Sequence, residues 1–332
     1  MTPLARRLIT IPLYALAFLL ALASAPLWIP GAALLDLAAR GHGVALRSAA
    51  LFAFYLGCEL AGLAAAAALW LARPFARWND ARWQALHFRL QDLWGATLFW
   101  GLTFFFDLRV EVEGEDESRL GEGPYLLVLR HASSGDALLA SARIGLPHGI
   151  RLRYVLKREL LFDPCLDVVG SRLPHVFVDR SGADSRSEVA RLQACGRGLG
   201  RRDGVLIYPE GTRFTETRRA RELGRLAREG DLKQLDYASS LVSVLPPRPG
   251  GLLGLLEVAP EADVVVCVHA GFESAASLAQ VWRGGLLRRR VRVRFWRIPR
   301  ARIPASSAMR AQWLRELWQE VDTWVSQRGV PH

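Results

Sequence analysis

Two long apolar stretches in the first quarter of the chain constrain its fold more than any other feature. The first, Leu8–Ile29, has no charged side chain, and the second, about Ser48–Ala72, has only Glu59. At about 1.5 Å per helical residue, each is long enough to cross the roughly 30 Å hydrocarbon layer of a bilayer. The pattern therefore predicts an N-terminal hydrophobic hairpin of two transmembrane helices over residues 1–75.

Basic side chains around the two stretches predict the orientation of the hairpin. Arginines lie at both of its outer ends: Arg6, Arg7, Arg73, Arg77, Arg82 and Arg89. Because cytoplasmic flanks are enriched in Lys and Arg, both ends are expected on the cytoplasmic side of the cell (inner) membrane. A signal peptide is the alternative for the first stretch, since Ala23-Ser24-Ala25 resembles a cleavage site. The second stretch argues against that alternative.

Residues 76–108 form a juxtamembrane segment in this interpretation. Its apolar run Leu93–Phe106 is too short for a comfortable span and is rich in Trp and Phe, which favour the headgroup boundary. An interfacial helix, a helix docked on the following domain and a buried core helix are all compatible with it. An acid inside a span is costly unless it is paired or neutral, so we interpret Glu59 as protonated or facing the interface. A proton or substrate contact is the alternative.

The charge balance indicates an anionic partner. The formal net charge is +11 and the pI is about 10.3, which suits nucleic acid, anionic lipid or phosphorylated substrates. There is no zinc-finger spacing, basic zipper or aromatic RNA-binding signature, so membrane lipid is the predicted partner and nucleic acid is not. The four widely spaced cysteines predict reduced thiols and no metal site: Cys58, Cys165, Cys195 and Cys267.

Short apolar runs alternate with helix-like segments over residues 109–304. The runs of strand length are Val110–Glu113, Tyr125–Leu129, Arg153–Leu156, His175–Val178, Val205–Tyr208, Val264–Val268 and Val291–Trp296. The strongly charged segment Thr217–Gln234 is helix-like. This alternation predicts an α/β domain with a mixed sheet flanked by helices. Residues 305–332 carry apolar side chains on one helical face, which predicts a C-terminal amphipathic helix packed on the domain, with a membrane-surface helix as the alternative.

A histidine and an aspartate follow the strand Tyr125–Leu129. His131 comes just after its end, and Asp136 lies five residues further on. A carboxylate at this spacing accepts a hydrogen bond from one ring nitrogen and leaves the other nitrogen free to remove a proton. A capping aspartate beside an ordinary loop histidine has the same pattern. His269 also follows an apolar strand, and we interpret it as structural.

Cationic side chains follow three other predicted strands, at Lys157, Arg180 and Arg213. Arg213 ends the segment Pro209–Arg213, in which Gly211 permits close backbone approach. An arginine presents a planar fork that suits a phosphate group. Because the strand exits of an α/β sheet converge at one edge, these side chains are expected near His131.

In this order and spacing, the motifs resemble those of the glycerolipid acyltransferases typified by 1-acylglycerol-3-phosphate acyltransferase. The resemblance covers about residues 90–270 and rests on His131-x4-Asp136, Phe177-x2-Arg180, Pro209–Arg213 and the strand Val264–Val268. The segment that begins at Leu245 looks like the Leu-Pro-Arg stretch of the subgroup that includes lysocardiolipin acyltransferases. Two positions depart from the family pattern. Tyr208 stands where phenylalanine is common, and the last strand lacks its usual proline.

The resemblance implies a glycerolipid acyltransferase fold and a mechanism without metal or resident cofactor. His131 would deprotonate the acceptor hydroxyl, which attacks the thioester of acyl-CoA or acyl-carrier protein, while Asp136 orients His131. Backbone amides around Gly211 would stabilise the oxyanion. The acceptor phosphate would be bound by the cationic and loop residues Lys157, Arg180, Glu210, Gly211, Thr212 and Arg213.

The acceptor implied by the resemblance is 1-acylglycerol-3-phosphate, with phosphatidic acid as the product. Another lysolipid, such as a lysophospholipid or lyso-ornithine lipid, is the alternative acceptor. A thioesterase would use the same base to activate water. A non-catalytic lipid-binding membrane protein belongs to a different class, and the intact motif residues argue against it.

Overall fold

The computed structural model describes residues 2–40, 42–133, 135–178, 185–275 and 277–328 and consists of two compact units. The first unit comprises Met1–Leu108, Ala137–Ala183 and Ala279–Arg288. The second comprises Arg109–Asp136, Asp184–Leu278 and Arg289–His332. The units do not follow chain order, because the chain leaves the second unit after Asp136 and returns to it later.

Strands interspersed with one or more helices follow the first four helices in the described residues. The helices are α1 (Pro3–Ala23), α2 (Ala25–Ala38), α3 (Val44–Ala76), α4 (Asp80–Phe106), α5 (Asp136–Ala140), α6 (Leu146–His148), α7 (Pro164–Gly170), α8 (Ser185–Gly196), α9 (Glu216–Glu229), α10 (Leu232–Ser240), α11 (Pro249–Val258), α12 (Leu278–Trp282) and α13 (Ser307–Arg328). The strands are β1 (Arg109–Glu113), β2 (Tyr125–Leu129), β3 (Arg151–Lys157), β4 (Val176–Val178), β5 (Asp203–Ile207), β6 (Asp263–Ala270) and β7 (Arg290–Ile298). A π-helical turn, Ser141–Gly145, follows α5.

Helices α1 and α3 are long and apolar enough to cross a membrane. Most apolar side chains of α1 are exposed, and a continuous exposed apolar surface of this kind marks a membrane or partner contact. The structure corrects the predicted first span, since Leu8–Ile29 is not one helix. α1 ends at Ala23, and Pro26, which has no N–H to donate, lies in the first turn of α2.

The N-terminal arginines are held inside the first unit. Arg6 is buried, and its guanidinium donates to both carboxylate oxygens of Asp167 in α7, at 3.0 and 2.7 Å. Arg7 donates to the same carboxylate at 3.2 Å. A carboxylate bound by two guanidinium groups compensates the burial of these charges. The start of α1 is therefore tied to α7 by an ion-pair network.

The apolar run Leu93–Phe106 is the second half of α4, which packs against α3 in the first unit. One face is buried and includes Leu98 and Phe99, whereas Trp100 and Phe104 on the other face are more than half exposed. Glu59 of α3 does not face an interface, which corrects part of its interpretation. Its carboxylate is buried and accepts hydrogen bonds from the Trp94 ring and the Cys165 amide, each at 3.0 Å.

The second unit contains a mixed five-strand sheet in the order β1-β7-β6-β2-β5. β2 runs parallel to both β5 and β6, whereas β6 and β7 are antiparallel. Every residue of β2 and β5 is buried, as expected for central parallel strands with both faces covered. The predicted mixed sheet flanked by helices is confirmed. In the first unit, β3 and β4 form a short parallel pair.

Two segments of the second unit are predicted to be helices, residues 305–332 and Thr217–Gln234. The C-terminal helix α13 packs on the unit, because its face that carries Leu314, Trp318 and Val321 is fully buried. The charged segment Thr217–Gln234 is not one helix. Gly230 has a φ of +72° and ends α9, and a new helix, α10, begins directly afterwards.

Candidate active site

Three loops leave the carboxyl ends of neighbouring strands in the second unit. They follow β2, β5 and β6, which are parallel, so the loops begin at the same edge of the sheet. Backbone hydrogen bonds join them directly. The Arg130 amide donates to the Cys267 carbonyl at 3.1 Å, and the Phe214 amide donates to the His131 carbonyl at 2.7 Å. The loop that contains His131 is thus held between the other two.

His131 and Asp136 are brought together within the loop after β2. The imidazole Nδ1 lies 3.0 Å from Oδ2 of Asp136. The same carboxylate accepts hydrogen bonds from the Ala132 amide at 2.8 Å and from the Ser133 amide at 2.9 Å. Because one side chain accepts from several successive donors, the loop folds tightly around Asp136 at the start of α5.

The electrostatics of the pair favour a neutral imidazole and an ionised carboxylate. Burial alone would raise the pKa of Asp136, but interactions with His269 and His131 outweigh it and hold that pKa well below its usual range. Burial, Arg213 and His269 lower the pKa of His131, and the opposing effect of Asp136 is smaller. Nδ1 therefore carries the proton and donates a hydrogen bond to the carboxylate, and the lone pair remains on Nε2.

A second histidine contacts the same carboxylate. Nε2 of His269, on β6, lies 3.3 Å from Oδ1 of Asp136 and 3.1 Å from the carbonyl oxygen of Arg130. The His269 side chain is fully buried. Asp136 is therefore flanked by two imidazoles, an arrangement that sequence reasoning missed. The position of His269 after an apolar strand was the available signal, but only the β2–β6 register places His269 beside Asp136.

Arg130, another residue that sequence reasoning missed, connects the loops behind His131. Its guanidinium is buried and donates to the carbonyl oxygens of His269 at 2.6 Å and Ser243 at 2.8 Å. It also forms a close ion pair with Glu273. Fully buried arginines are rare unless they are paired, and here the pairing fixes the strand exits that carry His131 and His269.

Glu210 makes contacts that do not fit its predicted role in binding the acceptor phosphate. Its carboxylate is buried, with Oε1 accepting from the His131 amide and Oε2 from the Leu245 amide, each at 2.9 Å. Burial raises the pKa of Glu210 to about 7, against the opposing effects of Arg130 and the two amides. A carboxylate occupied in this way does not attract a phosphate. We therefore correct its assignment, since Glu210 positions the segments that carry His131 and Leu245.

The rest of the loop after β5 contains Gly211, Thr212 and Arg213. Gly211 has a φ of +69°, and an added Cβ would lie 3.2 Å from Cδ of Arg248. Its amide donates to the Tyr208 carbonyl at 2.9 Å, so this particular N–H is already used within the turn and is not a spare oxyanion donor. Thr212 and Arg213 are half-buried. Because the charge of Arg213 lowers the pKa of His131, its guanidinium lies within electrostatic range of the imidazole.

The other two cationic residues, Lys157 and Arg180, stay predictions. Lys157 is the half-buried last residue of β3, which belongs to the first unit. Arg180 lies outside the described residues. An aromatic neighbour of His131 is instead apparent, because the ring centroids of Tyr208 and His131 are 4.2 Å apart at an interplanar angle of 31°. This contact limits rotation of the imidazole.

Comparisons with known proteins agree with the class of chemistry that this geometry permits. Residues 109–252 match the model of the acyltransferase family, and this range includes both His131 and Arg213. The match supports the acyltransferase resemblance over this segment. The crystal structure of 1-acyl-sn-glycerophosphate (LPA) acyltransferase, PlsC, from Thermotoga maritima is similar with a TM-score of 0.49 and 14% identity, over 81% of this chain and 97% of that one. No curated protein matches the chain.

Replacement of His269 tests its action on the Asp136–His131 pair. We expect His269→Phe to lower kcat by about ten- to a hundredfold, because a hydrogen bond to a charged group contributes roughly 1.5–3 kcal/mol. The acidic limb of the pH profile of kcat/KM should also move to higher pH, because His269 lowers the pKa of His131. Acyl transfer measured from pH 5 to 9 checks both effects. An unchanged acidic limb would reduce His269 to a space-filling role.

Proposed function

We propose that this protein transfers a fatty acyl group from a thioester donor to the hydroxyl of a lysophospholipid. The proposed acceptor is 1-acylglycerol-3-phosphate, and the product is phosphatidic acid. The observation that carries the proposal is the 3.0 Å contact between Nδ1 of His131 and the buried Asp136 carboxylate within an acyltransferase domain. It provides a neutral base with its lone pair on Nε2.

The proposed reaction is a direct transfer without a covalent enzyme intermediate. Nε2 of His131 takes the proton of the acceptor hydroxyl as its oxygen attacks the thioester carbonyl carbon. The tetrahedral intermediate then collapses, the C–S bond breaks, and the imidazolium returns the proton to the leaving thiolate. Asp136 stabilises the transient imidazolium through Nδ1. General base catalysis of this kind contributes about 10²–10⁴-fold in rate.

Arg213 is the proposed main ligand of the acceptor phosphate. It follows the turn at Gly211, is half-buried and influences the pKa of His131. A guanidinium fork binds a phosphate through two parallel hydrogen bonds. Arg180 and Lys157 are proposed as additional phosphate ligands on the basis of the sequence.

The proposed substrate and the N-terminal helices both suggest that the protein works at a membrane. A lysophospholipid is a membrane lipid, and α1 and α3 are both long and apolar enough to cross a membrane. We propose that the protein is bound to the cell (inner) membrane with the acyltransferase domain on its cytoplasmic side, where acyl-CoA and acyl-carrier protein are available.

The reaction is tested with a panel of lysolipids and oleoyl-CoA, with the products identified by mass. The wild-type protein should form phosphatidic acid from lysophosphatidic acid, and His131→Ala should reduce turnover at least a hundredfold because the base is lost. Circular dichroism and membrane recovery should be unchanged in the variant. Thiol release that does not require an acceptor would indicate a thioesterase, and a different acylated lysolipid would identify another acceptor. Substantial turnover by His131→Ala would contradict the base assignment.

Replacement of Arg213 tests phosphate recognition separately from catalysis. We expect Arg213→Ala to raise the KM for lysophosphatidic acid about ten- to a hundredfold, because a charged hydrogen-bonding pair is lost. The KM for a monoacylglycerol, which has no phosphate, should change less than about threefold. Arg202→Ala is the matched control, since Arg202 is exposed just before β5. An equal loss with both acceptors would show that Arg213 does not bind the phosphate.

A further inference from the structure

Five arginines line a cavity of about 530 Å³ in the second unit. Four of them come from α9 and one from the segment before α11: Arg218, Arg221, Arg225, Arg228 and Arg248. Glu210 and Thr212 also line it, whereas His131 does not. The cavity therefore adjoins the loop after β5 but is separate from the base.

The α9 arginines form one stripe because of their spacing. Positions 218, 221, 225 and 228 follow each other at intervals of three, four and three residues, which places them on one face of the helix. Leu226 on the same helix is buried and anchors it to the unit. Like charges at these intervals repel one another and destabilise a helix. Such a stripe is better stabilised when an anion lies against it.

Two carboxylates, Glu222 in the cavity lining and Glu229 beside it, neutralise only part of this charge. Arg225 donates to Glu222 at 2.6 Å and to Glu229 at 2.5 Å. The hydrogen bond from Arg225 lowers the pKa of Glu222, so this carboxylate is ionised. Arg221 and Arg248 form no ion pair with a carboxylate within the residues that the structure describes, although Arg248 lies close enough to Glu222 to help lower the pKa of that carboxyl. The lining therefore keeps a net positive charge, with two guanidinium groups available to a ligand.

The cavity has the size and chemistry of a site for a phosphorylated nucleotide. Its volume lies within the roughly 300–1,000 Å³ that is usual for small-molecule sites, which favours a compact ligand over a flat protein surface. Guanidinium groups bind phosphates and stack on planar bases. Leu245 and Pro246 provide an apolar wall. Arg218 and Arg228 donate to carbonyl oxygens of their own segment, at 3.0 Å each, and keep their positive charge. A ligand with three phosphates matches this concentration of positive charge better than a single phosphate does.

We propose that the cavity binds the 3′-phosphoadenosine diphosphate end of an acyl-CoA donor. This inference rests on the proposed function and selects coenzyme A over acyl-carrier protein as its donor. Glu210 connects the cavity to the base. It lines the cavity, and its carboxylate accepts a hydrogen bond from the His131 amide at 2.9 Å. Arg248 supports the same loop, since its amide donates to the Pro209 carbonyl at 2.8 Å. The nucleotide thus binds against the loop that positions the base, and the pantetheine arm extends from it to the thioester.

Truncated donors test this assignment in the full-length protein. Oleoyl-CoA, oleoyl-3′-dephospho-CoA and S-oleoyl-pantetheine keep the same thioester but carry three, two and no nucleotide-end phosphates. The wild-type KM should rise at each step and at least tenfold overall. Arg221→Gln/Arg248→Gln should raise the KM for oleoyl-CoA at least tenfold and that for S-oleoyl-pantetheine less than twofold. Arg202→Gln, outside the cavity, should change neither value.

Direct binding separates a failure of this inference from a failure of the proposed function. Calorimetry with free CoA should show binding that Arg221→Gln weakens at least fivefold, whether or not acyl transfer occurs. Equal wild-type KM values for oleoyl-CoA and S-oleoyl-pantetheine would overturn the assignment. Displacement of CoA by lysophosphatidic acid would assign the cavity to the acceptor instead. Exclusive use of oleoyl-carrier protein as the donor would assign the cavity to a contact with that protein. CoA binding without transfer from any thioester would refute the proposed function alone.

Discussion

The burial of an ionised carboxylate at Asp136 is the constraint on which the candidate site depends. A buried charge is costly unless hydrogen-bond donors surround it. Here the donors are the Ala132 and Ser133 amides and the imidazoles of His131 and His269. They come from the loop after β2 and from β6, so the carboxylate forces these elements into one arrangement. Orientation of the His131 ring follows from that arrangement.

Two further buried side chains, Glu210 and Arg130, fix the backbone around His131. Glu210 binds the amides of His131 and Leu245, and Arg130 binds the carbonyl oxygens of His269 and Ser243. Each of these side chains joins segments that are far apart in sequence. Preorganised polar groups do not need to move when charge develops in a reaction, which is the main source of electrostatic catalysis. Both side chains support the base by fixing the backbone segments around it.

Local patterns were sufficient to predict much of this structure, whereas contacts between distant segments were not. The strands were predictable because central parallel strands such as β2 are continuous apolar runs, and the His131–Asp136 contact was predictable because five residues separate its partners. The roles of His269, Arg130 and Glu210 depend on the register of β2 with β5 and β6, which no single segment encodes. The breaks at Ser24 and Gly230 were overlooked because apolar or charged periodicity continues across them.

The tautomer and charge of His131 test the central claim most directly. Nitrogen NMR of protein labelled in its seven histidines, with His131 assigned by comparison with His131→Gln, reports both properties as a function of pH. The ring should be neutral at pH 7 with the proton on Nδ1, and it should titrate below the usual pKa of 6.5. A cationic ring at pH 7, or a neutral ring with its proton on Nε2, would contradict the account.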